Sequence, residues 1–224
     1  MKIDLHNHSY YSDGVLSPSE VVRLAKKEGC DVFALTDHDT TDGLLEAQQQ
    51  ADKIDLKLIH GVEISAMWSN MTVHIVGLDV DIKNETLQAG LKQHQAFRRV
   101  RAEKMARGLG GAGVFNAMEK TQAIAKKSMI TRTHFAQMLV QEGVCKDMRS
   151  VFKRFLTGKK PGGVGGKWAE YDEVIAWIHA AGGQAVLAHP LRYRMTNTKV
   201  KRLLSHLAGA GLDGVEVVTG SSSL

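Results

Sequence analysis

Short β-rich runs recur along this chain, and each one delivers a metal-capable side chain at or near its C-terminal end. His6 and His8 close the run Lys2-Ile3-Asp4-Leu5, with Asp13 following in a short polar loop. Asp37-His38-Asp39 ends Val32-Phe33-Ala34-Leu35, and Glu63 ends Leu58-Ile59-His60-Gly61-Val62. His74 lies inside Met71-Thr72-Val73-His74-Ile75-Val76, and His189 ends Ala185-Val186-Leu187-Ala188. The C-terminal ends of strands are where barrel-type α/β enzymes keep their chemistry. One His at a strand end is an ordinary packing event, but five such runs point to a shared site.

The connecting segments agree with an α/β reading. Ser17-Pro18-Ser19-Glu20 is a helix start, with Ser17 as N-cap, Pro18 in the first turn and Glu20 closing a capping box. That helix stops at Gly29, and a second opens at Thr41-Asp42-Gly43 and runs towards Lys53. Strands at Lys57–Ile64 and Met71–Leu78 form a hairpin-like step in a mainly parallel sheet. From Asn84 the texture becomes helical, over Glu85–Leu109, Val114–Ala125, Thr131–Gln141 and Lys146–Leu156. The α/β pattern resumes with a helix at Tyr171–Ala181, a strand at Ala185–His189, a helix at Asn197–Ala210 and a strand at Gly214–Val218, before a polar tail. Residues 1–83 and 167–224 are therefore expected to build a barrel, interrupted by a basic helical insertion over 84–166 that acts as a lid.

Charge divides along the same boundaries. Residues 1–90 carry 7 Lys/Arg against 15 Asp/Glu, whereas residues 91–170 carry 17 against 5. An acidic, His-rich part holds cations, and a basic part draws an anionic substrate towards them. No apolar stretch approaches the roughly 18 residues of a membrane span, and the N-terminus runs straight into a strand, so neither a membrane nor a signal peptide is expected. Cys30 and Cys145, the two cysteines, make no disulfide framework, which favours a reducing cytoplasm.

Alternating side chains in an extended segment share a face at i and i+2, so His6 and His8 can chelate one ion. A carboxylate such as Glu63 can bridge two. The mixed nitrogen and oxygen set, without thiolate, suits manganese, iron or zinc in a hydrolytic site, where two or three divalent ions activate a water and clamp a phosphoryl group.

His6-Asn7-His8-Ser9, Ser12-Asp13-Gly14, Leu35-Thr36-Asp37-His38-Asp39, Gly61-Val62-Glu63-Ile64-Ser65, His74-Ile75-Val76-Gly77 and Ala188-His189-Pro190 together resemble the PHP (polymerase and histidinol phosphatase) superfamily of metal-dependent phosphoesterases. Thr131-Arg132-Thr133-His134-Phe135-Ala136 narrows the resemblance to the branch acting on 3',5'-nucleoside bisphosphates and short RNA 5' ends. The resemblance implies a distorted barrel of about seven β/α units. It places His6, His8 and Glu63 on a first metal, Glu63, His74 and His189 on a second, and Asp13 and His38 on a third. Asp13, His38 and Glu63 are the residues expected at the chemical step. Manganese is the expected ion, with Fe2+ or Zn2+ as alternatives. The family pattern also ends on a further Asp-x-His pair, for which nothing after Glu216 offers a counterpart. The expectation is a C-terminally incomplete barrel, with the first and third metal positions weakened and the second able to form.

Opposite the metals a phosphate ester needs guanidinium or imidazole donors. Arg98 and Arg101 share a helix face, Arg132 and His134 open another insertion helix, and Arg192 follows His189-Pro190; these are the candidates for binding the uncleaved phosphate. Trp68 is either a base-stacking platform or packing, and Trp168 and Trp177 read as packing. Gly108-Leu109-Gly110-Gly111-Ala112-Gly113 matches G-x-G-x-x-G but follows a helix instead of a strand, which excludes the dinucleotide reading. The function expected is release of a terminal phosphate from a nucleoside bisphosphate or a short RNA or DNA end, with no obligate protein partner. The alternatives are a histidinol-phosphate type of phosphatase, or a non-catalytic remnant that binds metal or nucleotide.

Overall fold

The computed structural model describes residues 1–126, 128–193 and 195–217. Six strands form one sheet in chain order: β1 (Ile3–Asp4), β2 (Val32–Leu35), β3 (Lys57–Trp68), β4 (Met71–Leu78), β5 (Gln184–Leu187) and β6 (Gly214–Val215). The β1–β2, β2–β3 and β5–β6 pairs are parallel, while β4 runs antiparallel to both neighbours. The hairpin step read from the sequence is thus real, and it makes the sheet mixed. β3 runs on to Trp68 because Ser69 and Asn70 both take positive φ (46° and 62°), the tight reversal that suits a twisted hairpin.

The helices α1 (Pro18–Lys27) and α2 (Leu44–Lys53) cover one flank, packing Val22, Leu44, Ala47 and Ala51 on Phe33 and Leu35. The capping box at Ser17 and Glu20 is formed as expected. On the outer face of the β3–β4 hairpin, Val62, Ile64, Val73 and Ile75 pack on α7 (Tyr171–Ala180), α8 (Asn197–Gly209) and the first half of α3 (Glu85–Gly111). Trp177 lies so close to α3 that a Cβ on Gly90 would sit 2.4 Å from its ring. The inner face is filled at one end by Leu5, Ala34, Ile59, Val76, Leu78, Val186 and Ala188. Its other end carries the polar side chains.

The insertion has a core of its own. The second half of α3 joins α4 (Ala117–Ala125), α5 (Arg132–Gln141) and α6 (Met148–Val151) around Met105, Leu109, Phe135, Met138 and Leu139. The segment expected as one helix to Leu156 changes after Val151 into a π-helical turn, Phe152–Leu156. Gly108–Gly111 is the last turn of α3, in keeping with the rejection of a dinucleotide loop. Trp68 is no platform: it is buried in the outer core with its Nε1 donating to His206 Nδ1 at 3.2 Å. β6 is shorter than expected, and Val218 and the polar tail after it lie outside the described residues.

The sheet curls. His6 follows the first strand and Glu216 follows the last, yet their side chains meet at 2.9 Å. Among the described residues no ladder joins β1 to β6.

Candidate metal centre

Register places the centre. Glu63 and Ser65 are two apart on β3 and so share a face, and His74 on β4 is paired directly with Ser65. His38 follows β2 and forms a bridge with Glu63, while Asp39 N–H donates to Glu63 O at 2.9 Å. His189 follows β5, with Ala188 N–H anchored on His74 O at 3.0 Å. β1 ends at Asp4, so His6 and His8 stand beyond the strand in an extended segment and still point to one side.

These elements converge on one carboxylate. Glu63 is 1% exposed. Its Oε2 lies 3.2 Å from His6 Nε2, 3.2 Å from His8 Nε2 and 3.0 Å from His38 Nδ1. Its Oε1 lies 2.9 Å from both His74 Nδ1 and His189 Nε2. The two oxygens thus divide the histidines into the two groups that a bridging carboxylate would serve. Burial alone would raise the Glu63 pKa, but His38, His74 and His189 hold it well below the carboxylate range. Burial works against a charged His6, yet Glu216 and Glu63 push it up to about 10.

Several of these nitrogens fit a cation better than a hydrogen bond. Nδ1 of His38, of His74 and of His189 are buried without a hydrogen-bond partner among the described residues. Two of them face Glu63 at contact distance in geometry unsuited to a shared proton. Buried polar atoms are rarely left so, and for the two that face Glu63 bound cations are the simplest partners. The ligand-capable atoms of His6, Glu63 and His189, and those of His8, His38 and Glu63, lie within 4.8 Å of one another in each set.

Asp13 stands at the edge, 3.9 Å from His8 Nδ1 and 4.0 Å from His38 Nε2. Its loop is clamped by buried Asp37, which accepts from Ser9 N–H at 2.7 Å, Ser9 Oγ at 2.6 Å and Ser12 Oγ at 2.6 Å. Gly14 is needed there, since a Cβ would sit 2.4 Å from His8 O. Asp37 therefore supports the site from behind instead of lining it.

The centre forms the floor of a cavity of about 340 Å³ whose opposite wall holds Arg98, Arg101, Arg132, Phe152 and Trp168, with Arg192 exposed at the rim. Arg98 is largely committed: its Nε donates to Asp39 at 2.6 Å and one Nη to Ser65 Oγ at 3.0 Å. Asp39 also takes His94 Nδ1 at 3.1 Å, and Arg98 and His94 hold its carboxyl far below the usual range against the opposing effect of burial. Arg101 donates Nε to Val164 O at 2.9 Å, and among the described residues no carboxylate pairs with Arg101 or Arg132. Burial, then Arg132 and Arg98, lower the Arg101 pKa, and burial, then Arg98, lower that of Arg132. Trp168 packs as expected and is also part of the wall, with Arg98 and Arg101 at 4.9 and 5.8 Å from its ring centre.

His134 is not in the cavity lining. Its Nδ1 accepts from Thr131 N–H at 3.1 Å and closes the capping box of α5, which gives it a structural role. The same helix contributes Thr133, whose Oγ1 donates to Asp13 Oδ2 at 2.9 Å. Thr133, Asp39 and Glu216 were not read as site residues in the sequence. Thr133 and Asp39 each sit one residue from a residue that was.

A model of the PHP domain matches residues 4–187. The chain belongs to the PHP domain family. Its fold is that of PHP metal-dependent phosphoesterases, whose centres take divalent ions. The PHP chain is 45% identical over 223 residues to a 3',5'-nucleoside bisphosphate phosphatase of Chromobacterium violaceum, covering 99% of this chain and 78% of that one. It is 40% identical over 216 residues to the 5'-3' exoribonuclease Rnm of Escherichia coli, covering 96% and 74%. A solved structure from Chromobacterium violaceum, described as an amidohydrolase with bound sulfate and no metal, superposes with a TM-score of 0.96 at 44% identity, covering 100% of this chain and 79% of that one. No helix among the described residues is long and apolar enough to cross a membrane.

Proposed function

We propose that this PHP protein hydrolyses a terminal phosphate from nucleoside 3',5'-bisphosphates or from short oligonucleotide 5' ends, using divalent ions held around Glu63. The observation that carries the reading is the pairing of floor and wall: five imidazoles on the two oxygens of Glu63, facing guanidiniums that lack a carboxylate partner. The relatives named for bisphosphate and RNA 5'-end hydrolysis support the choice of substrate.

His6, His8, Glu63, His74 and His189 are the proposed ligands of two ions, with Asp13 and His38 at the position of a third. Manganese suits this mixed imidazole and carboxylate set, and Fe2+ or Zn2+ share the preference. When bound, such ions supply a nucleophilic water at neutral pH and neutralise charge on the phosphoryl oxygens. The protein's own residues do the rest. Arg101 and Arg132, desolvated and without a carboxylate partner among the described residues, bind the phosphate that is not cleaved and fix its distance from Glu63. Asp39 and Ser65 hold Arg98 rigid, so its donors stay oriented without reorganisation at the moment of reaction. Thr133 orients Asp13. Arg192 at the rim meets the incoming anion first. The helical segment 84–166 serves as the lid that supplies this wall, a shape that admits chain ends and mononucleotides more readily than long duplexes. The buried, unpaired Cys30 and Cys145 fit a reducing, cytoplasmic setting.

A substrate panel with added manganese tests this. Phosphate release from adenosine 3',5'-bisphosphate or a 5'-phosphorylated oligoribonucleotide, abolished by EDTA, is the expected result. Preference for histidinol phosphate would move the protein to another branch of the family. Nucleotide binding without any release would make the chain a non-catalytic binder.

A further inference from the structure

Glu216 ties the first and last strands of the curled sheet together, and it does so through two residues of one ligand cluster. Its Oε1 lies 2.9 Å from His6 Nδ1, and its Oε2 accepts from the His189 backbone N–H at 2.6 Å. Its own N–H donates to Leu187 O at 3.0 Å, which fixes its backbone beside β5. His6 and His189 are the two imidazoles grouped with Glu63 in one cluster; Glu216 belongs to neither cluster. It stands on the far side of the His6 ring, because the other nitrogen, Nε2, is the one facing Glu63.

A ligating imidazole must present a bare nitrogen to the cation, so its proton has to sit on the other nitrogen. A carboxylate that accepts that proton's hydrogen bond fixes both tautomer and ring orientation. Glu216 is placed to do this for His6. The contact with His189 addresses a different need. His189 has φ +32°, a left-handed conformation that a non-glycine residue adopts only at a cost in backbone strain. The charge-assisted bond from its N–H to Glu216 offsets part of that cost and holds the ring over Glu63.

We propose that Glu216 is a positioning residue of the metal centre, accepting from His6 Nδ1–H and His189 N–H so that each imidazole is presented to the ion on its own oxygen of Glu63. The proposal rests on the reading of the Glu63 cluster as a metal centre, and the experiment separates the two. Mn2+ binding is first titrated on the full chain. If the wild type binds no Mn2+ or Zn2+, the metal reading itself fails. If it binds, the zinc-loaded wild type is examined by long-range 1H–15N NMR. The expected spectrum shows His6 protonated at Nδ1 with Nε2 bare, and a spectrum with the proton on Nε2 overturns the proposal without any variant being made. Mn2+ titration of Glu216→Ala should then show affinity reduced about 10–100-fold at one site. Glu216→Gln, whose single amide oxygen can replace only one of the two acceptors, should lose less. Wild-type affinity in a folded Glu216→Ala protein overturns the proposal. So does loss of one bound ion in Glu216→Gln with the His6 tautomer unchanged, since that would make Glu216 a ligand.

Discussion

The strand-end floor and the helical wall of the cavity treat charge in opposite ways. On the floor the charged groups face complements: both oxygens of Glu63 meet imidazoles, His6 is backed by Glu216, and Asp13 is met by Thr133. On the wall, among the described residues, only Arg98 has a carboxylate, whereas burial and neighbouring guanidiniums lower the readiness of Arg101 and Arg132 to carry charge. A floor so balanced keeps its geometry without a substrate and gives its ligand atoms to ions. A wall left positive is completed only by an anion. The two halves therefore contribute different steps, and they should fail differently when altered.

The floor is broken most severely by Glu63→Gln. Replacing one bridging oxygen by an amide removes the negative charge that both groups of histidines share. Mn2+ binding should be lost and phosphate release should fall about a thousand-fold or more. Calorimetric titration of Mn2+ alongside kcat checks this, and retained binding of two ions would dissolve the distinction between floor and wall.

Arg132→Glu and Arg101→Glu attack the other half. Each should raise KM about 10–100-fold, as expected for loss of a charge-assisted bond to phosphate, while the number of Mn2+ ions bound stays the same. Unchanged KM in both would remove the wall from the account.

The join between the halves is Thr133. Thr133→Val deletes its bond to Asp13 while keeping its volume, and kcat should fall about 2–10-fold, the worth of one hydrogen bond, with KM little changed. A KM effect larger than the kcat effect would place Thr133 with the wall instead.

The smallest kinetic effect belongs to His134→Ala. Its Nδ1 caps α5, so the loss should appear as about 1 kcal/mol of stability, seen as a lower Tm with kcat and KM intact. A kinetic defect at full stability would return His134 to the site.

The legible part of the floor was legible because most of its ligands sit on a strand or within a few residues of a strand end. The spacing of His6 and His8 and the ends of the runs before Glu63 and His189 fix which way those side chains point, even though β1 stops before His6. Glu216 lay hidden because a lone carboxylate at a strand end has many uses, and its partner stands 210 residues away in the chain. On the wall, helix periodicity placed Arg98 and Arg101 together but said nothing of Asp39, which reaches Arg98 only after the sheet curls. His134 has a local use the sequence reading did not weigh: a residue three after a threonine N-cap can close the capping box. Trp68 stayed open between platform and packing because hairpin ends are usually exposed, and the structure decides for packing because α8 covers the ring.

The central claim is that ions on the floor and the phosphate-binding wall act together on a terminal phosphate. The most direct test is to strip the protein with EDTA, titrate Mn2+ back, and follow bound manganese and phosphate release from adenosine 3',5'-bisphosphate in the same sample. The account predicts no release when stripped, and release that rises with occupancy of the Glu63 centre. Release indifferent to chelation, or none at full manganese occupancy, would contradict it.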